Sequence, residues 1–389
     1  MAVRTSDPSR ISALDTARGL AVIGMIAAHT LGYGDLTWSD PGHWHTIASG
    51  RSSILFAVLG GASLALMTGR MTPPTGADLV AARLRVIVRA CLLFLIGGIL
   101  TATGTEVAVI LEFYAVMFVL AVPFLTWPPR KLLTAAAVWA VAAPVLLWWL
   151  YSVLPESARM AGGIVNLGIT GTYPAALWVV FILIGLAIGR SDLTAPLTRK
   201  RLLGWGIAAA VIGYGGAWLA TWLFVPQDNA FTDFAYTDAD TGGTVDADKV
   251  DLPDPGFTSL LNAEPHSGTT FEILGSAGVA AAILGLLLIC QPVLGRFLAP
   301  ITAIGYMPLT VYTGHVVSLA IWESNADSPA LFLSSVAIAA AGSLLWIHYF
   351  GRGPLERAMT WVTKAAVRTG ESKRESTTLS SPGEQPRPE

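Results

Sequence analysis

An all-α, polytopic membrane helix bundle is the fold class this sequence predicts, on three observations. Of its 389 residues, 53% are hydrophobic and 13% charged, half the roughly 25% charge of a soluble domain. The mean hydropathy is +0.59. Apolar runs of about 20 residues recur along the chain, the length a helix needs to cross ~30 Å of hydrocarbon. The net charge of −2 supplies no basic field, so no nucleic-acid partner is expected. The lipid bilayer is the first partner expected.

Ten runs read as transmembrane helices, at 12–31, 52–69, 84–102, 107–126, 132–151, 173–189, 203–225, 271–290, 299–321 and 330–350. Helix-stopping or interfacial residues mark several ends: Gly69-Arg70, Trp127-Pro128-Pro129, Gly189-Arg190 and Gly351-Arg352. The first run is read as an uncleaved anchor rather than a signal peptide. With a cytosolic N-terminus, 21 basic residues fall inside and 3 outside, namely Arg51, Arg159 and Lys249. That asymmetry predicts cytosolic N- and C-termini. Residues 1–11 are then a cytosolic N-terminus and 12–362 one membrane domain. Within it, 226–270 is an acidic outer loop with eight Asp, one Glu and one Lys. Residues 363–389 are a cytosolic tail expected to be mostly disordered. Cys91 and Cys290 lie in apolar runs and are read as core residues, neither a disulfide nor a metal pair.

Charge inside a membrane is costly, so each such residue is a functional hypothesis. The first run carries Asp15, Arg18 and His29. Eleven residues at 100° each bring Arg18 and His29 onto one face, about 16 Å apart along the axis. Asp15 lies one turn before Arg18, within pairing reach. The bland alternative is an interfacial ion pair plus a packing histidine. Glu112, Tyr312 and His315 fall toward the outer leaflet in their own runs. His29, Glu112 and His315 are therefore expected around one outward-opening cavity. His348 reads as interfacial.

The outer loop holds His43 and His45, a His-x-His that lacks a third ligand at a recognisable spacing, so no metal site is expected. Histidine beside Asp40 also suits general-base chemistry. Asp238-Ala239-Asp240-Thr241-Gly242-Gly243 opens like a calcium loop, but Gly242 and Lys249 occupy positions that need ligands. A solvated acidic loop is the reading kept.

The segment RISALDTARGLAVIGMIAAH, residues 10–29, resembles the opening of the transmembrane acyltransferase superfamily. Its Asp15, Arg18 and His29 match the Asp-x-x-Arg-x10-His form of the acyltransferase-3 group, where the Arg and His are needed for activity. The segments GRSSILFAVLGGASLALMTGR, TEVAVILEFYAVMFVLAVPFL, GTYPAALWVVFILIGLAIGR, IGYMPLTVYTGHVV and FGRGPLERAMTW resemble the YeiB-type bacterial membrane proteins. Those are related to the catalytic domain of heparan-alpha-glucosaminide N-acetyltransferase. The resemblance runs from about residue 10 to 362.

It implies a multi-pass protein of the bacterial plasma membrane and an acetyl-CoA or other acyl-CoA donor on the cytosolic side. The donor is a substrate, and no tightly bound cofactor is expected. The acceptor implied is an envelope glycan or glycolipid amine or hydroxyl on the outer side. In the heparan branch a loop His does the chemistry, aided by an Asn where this chain has His29. The base is thus His29, His43 or His45, with Asp15, Arg18, Arg51, Glu112, Tyr312 and His315 assigned to acyl-CoA and substrate. Arg18 meets CoA phosphate or anchors the helix end. A homodimer stays open. The rival reading is a small-molecule transporter or flippase using the same buried charges.

Overall fold

The computed structural model of the protein describes residues 10–32, 39–225, 256–322 and 328–379. Among them every regular element is a helix. The sequence puts apolar residues in long runs, and the backbone satisfies its own polar groups only as a helix when water is absent. In chain order these are α1 (Ser12–Thr30), α2 (Arg51–Met67), α3 (Gly76–Thr101), α4 (Ile110–Ala121), α5 (Pro129–Val153), α6 (Glu156–Arg159), α7 (Ala175–Gly189), α8 (Pro196–Phe224), α9 (Thr270–Leu294), α10 (Ala299–Tyr306), α11 (Pro308–Trp322), α12 (Pro329–Phe350) and α13 (Pro354–Leu379). Each of the ten apolar runs coincides with helix. Among the described residues, five helical stretches are long and apolar enough to cross a membrane, or six when the bent pair α10–α11 counts as one span.

Packing sorts them into layers. α7 is apolar all round and buried nearly all round, with Trp178 and Phe181 fully enclosed. α2, α4 and α5 pack against it, and α1 packs on α2, α9 and α10. α8 and α12 are less apolar than α7 and bury few residues, which suits a lipid face. Cys91 corrects the sequence reading: it is exposed on α3, and Cys290 is half-buried. An apolar run can face lipid as well as core, so hydropathy does not separate the two.

Close backbone contact fixes α10 on α1. A Cβ at Gly305 would run into the carbonyl oxygen of Asp15, and one at Gly19 into that of Ile301. Only glycine permits this approach. The second correction concerns 299–321, read as one transmembrane helix. The chain turns by 86° between α10 and α11. Pro308 supplies the cause, because it lacks an N–H and disfavours helical backbone at Met307. α13 runs through residue 363, where the tail was expected to begin, as far as Leu379. Residues 380–389, and most of the acidic loop at 226–255, lie outside the described residues.

The two ends of α1 give the bundle its frame. At the Asp15 end lie α10 and the ends of α2 and α9. At the Thr30 end, the backbone N–H of Ser328 donates to Thr30 O at 2.9 Å, which ties the start of α12 to the end of α1.

Candidate functional site

One polar centre forms at the Asp15 end. Asp15 is 1% exposed and accepts from two arginines. Arg10 binds it bidentately, Nε to Oδ2 at 2.6 Å and Nη2 to Oδ1 at 3.0 Å. Arg18 Nη1 donates to Oδ1 at 2.6 Å, and its Nη2 donates to Ser63 Oγ on α2 at 2.8 Å. The Arg10 guanidinium also lies 3.7 Å over the Tyr306 ring of α10. The pair expected between Asp15 and Arg18 therefore forms. Arg10 is a partner that the helical stripe could not show, because it precedes α1. Two guanidiniums share one carboxylate, so this trio carries one unit of surplus positive charge.

Next to it, Thr16 Oγ1 lies 2.7 Å from Thr302 Oγ1 on α10 and 3.1 Å from Gln291 Oε1 on α9. Three helices thus meet through polar side chains, the two threonines buried and Gln291 half-buried. None of these groups was singled out in the sequence, because Thr and Gln carry no charge to betray them.

The second centre forms at the Thr30 end. His29 Nδ1 and His315 Nε2 are 3.3 Å apart, with rings stacked at 5.5 Å and 6°. His29 is half-buried and His315 is 7% exposed. On α11, Tyr312 sits one turn before His315, and its hydroxyl oxygen accepts the backbone N–H of Ile110 at 3.4 Å. Glu112 goes elsewhere. Its Oε2 accepts from Thr101 Oγ1 at 2.9 Å, and its side chain packs against Gly97 on α3. The expected trio of His29, Glu112 and His315 is thus a pair plus a residue turned toward α3. Depth along the axis was readable; the direction around α4 was not.

The loop histidines sit apart from each other. His43 Nδ1 pairs with Asp40 Oδ2 at 2.9 Å in an exposed turn. His45 Nε2 is 3.4 Å from Gly32 O, which returns the loop to the end of α1. Among the described residues, no group of three or more His, Cys, Asp and Glu is placed to hold a metal.

Arg51, at the start of α2, reaches α8. Its Nε donates to Tyr214 Oη at 2.8 Å, and Tyr214 Oη lies 2.7 Å from Ser276 Oγ on α9. Two residues here escaped the sequence reading. Glu272 is 3% exposed and accepts the backbone N–H groups of His266 at 2.7 Å and Gly268 at 2.6 Å. His266 adopts φ +66, stacks on Trp178 and meets Tyr173 edge-on. Burial pushes its pKa down to about 4, so it is neutral at pH 7. The signal was present: Thr269-Thr270-Phe271-Glu272 has capping-box spacing before an apolar run. Thr269 Oγ1 does cap α9, accepting from Glu272 N at 3.0 Å.

The arrangement offers a surplus cation at one end of α1 and an imidazole pair at the other. Sequence comparison bears on what such a bundle does. The family described as heparan-alpha-glucosaminide N-acetyltransferase, catalytic, matches residues 10–227, more than half of the chain. That stretch holds Asp15, Arg18, His29, His43, His45, Arg51 and Glu112, and it ends before Tyr312 and His315. No curated protein matches the chain.

Proposed function

The chain belongs to the heparan-alpha-glucosaminide N-acetyltransferase catalytic family, and from that premise we propose that it is a transmembrane acyltransferase. The donor is acetyl-CoA or another short acyl-CoA on the cytosolic side. The acceptor is an amine or hydroxyl of an envelope sugar or glycolipid on the far side. The kinship proposed within the family is YeiB-type, in a bacterial plasma membrane, with ten crossings and both termini cytosolic. The contact between His29 and His315, at the opposite end of α1 from Arg18, carries this reading. It separates a place for donor phosphate from a place for proton transfer by about 16 Å of helix.

The chemistry follows from the pair. If His29 Nδ1–H donates to His315 Nε2, the tautomer is set and His29 Nε2 carries a free lone pair. The acceptor heteroatom attacks the thioester carbonyl as His29 Nε2 takes its proton. The C–S bond then breaks, and the CoA thiolate takes that proton back. No acyl-histidine is required. His43, held by Asp40, is the second candidate base, because an exposed His–carboxylate pair also fixes a tautomer.

Binding of acyl-CoA to the purified protein tests the class. Arg18→Gln should weaken that binding about tenfold or more while the protein still inserts, since charge-assisted contacts are worth roughly 1.5–3 kcal/mol. Unchanged binding with reduced yield would make Arg18 structural. No acyl-CoA binding by the intact protein, together with solute uptake, would favour a transporter. Orientation is tested separately, with Cys91 and Cys290 replaced. An external thiol reagent should label Ser259→Cys and spare Ser191→Cys. The reverse pattern would invert the proposed topology and end the mechanism built on it.

A further inference from the structure

Two segments that the sequence resemblance singles out lie far apart in the chain: IGYMPLTVYTGHVV at 304–317 and FGRGPLERAMTW at 350–361. The structure joins them chiefly through one carboxylate, and the backbone N–H of Leu355 adds a bond to Thr310 Oγ1 at 3.3 Å. Glu356 Oε1 accepts the backbone N–H of Leu309 at 2.9 Å and of Thr310 at 3.1 Å. Its Oε2 accepts from Thr310 Oγ1 at 2.6 Å. Beside it, a Cβ at Gly353 would meet Met307 and Thr310, so the chain entering α13 presses against the turn between α10 and α11.

These are the bonds α11 lacks on its own. A helix leaves its first N–H groups unsatisfied, and a capping side chain normally serves the second and third positions. Here the capping position is Met307, which has no acceptor. Pro308 has no N–H, and Leu309 and Thr310 are the next two donors. Both go to Glu356, from another helix. A carboxylate also suits the positive end of the helix dipole. The 86° turn creates this helix start, and α13 completes it from 46 residues away.

α11 carries Tyr312 and His315, two and five residues above Thr310. Above Thr310, whose Oγ1 also accepts the backbone N–H of Leu355, Tyr312 bonds to Ile110 and His315 to His29. We infer that Glu356 is a positioning residue that fixes the foot of α11, and thereby the height and rotation of His315 against His29. This rests on the reading of that imidazole pair as the proton-transfer centre. Without the carboxylate, the first turn of α11 must fray or slide to recover partners. His315 then leaves hydrogen-bond distance of His29.

Two measurements on the full-length protein separate this inference from the acyltransferase reading. The first needs no activity. In a background without Cys91 and Cys290, the pair His29→Cys and His315→Cys is bridged with a short bis-methanethiosulfonate reagent. Glu356→Ala should slow bridging severalfold. Glu356→Gln, which keeps an acceptor for Leu309 and Thr310, should restore most of it. The second uses the native histidines. Glu356→Ala should lower kcat for acyl transfer about 10- to 100-fold, the scale of a misplaced catalytic group, and leave the KM for acyl-CoA unchanged. Bridging and kcat both at the parental level in Glu356→Ala overturn the inference. If that variant does not insert, Glu356→Asp takes its place, because the shorter side chain draws the carboxylate away from Leu309 and Thr310: slower bridging supports the inference and unchanged bridging overturns it. Absence of transfer in the parent protein counts against the acyltransferase reading alone, because bridging still decides the role of Glu356.

Discussion

His29→Ala should abolish acyl transfer, by about 10²- to 10⁴-fold, and leave acyl-CoA bound with near-parental affinity. That range is what one positioned general base contributes. Binding should survive because the donor's charged end is assigned to Arg18, three turns away. The change to asparagine is sharper, since the related branch carries Asn at this position. If His43 or His45 is the base, His29→Asn keeps substantial activity and the loop substitutions lose it. If His29 is the base, the order reverses. A single-turnover assay with labelled acyl-CoA and a glucosamine acceptor reads the difference. Transfer at parental rate in all three histidine variants would remove the imidazole mechanism.

Asp15→Ala should produce the largest loss of stability. It takes away the one carboxylate shared by Arg10 and Arg18 and leaves two guanidiniums side by side, 23% and 17% exposed. Breaking a buried ion pair from one side costs about 3–5 kcal/mol, most of it the penalty of the stranded charge. Arg18→Gln should cost less, because Arg10 still holds Asp15 with two bonds. Thermal unfolding in detergent compares the two variants. Equal shifts would mean that Arg10 contributes nothing, and no shift for Asp15→Ala would mean that the ion pairs are not structural.

The helices were legible because each apolar run is long and a buried backbone has no other way to bond itself. Their bends were less so. Pro308 was visible, yet proline also opens helices, and only the packing of α10 on α1 decides which it does here. α3 begins at Gly76, ahead of the apolar run at 84, and this added stretch carries Asp78 and Arg83, so hydropathy passes over it. In the site, residues on one helix were readable from the 3.6-residue period alone, and Asp15, Arg18 and His29 fall as that period requires. Contacts between helices were not. Glu112 shows why: position along an axis follows from counting, but rotation about it follows from the neighbour, which is α3. Glu272 was missed for another reason. It lies in the run at 271–290, which was read for its apolar length, while its capping-box spacing carried the structural message.

The contact between Thr16 and Thr302, like that between His29 and His315, spans 286 residues of chain. At about 5–20 residues synthesised per second, α1 waits roughly 15–60 s in the translocation machinery or the bilayer before α10 and α11 exist. During that time Asp15 has Arg10 and Arg18 for company, since both are made with it. Thr16 and His29 have no partner from α10 or α11 yet. The ion pair is therefore local and early, and the imidazole pair is among the last contacts the chain can close. A nascent protein stalled before residue 299 would hold its full complement of buried charge at one end of α1, with no His315 for the histidine at the other.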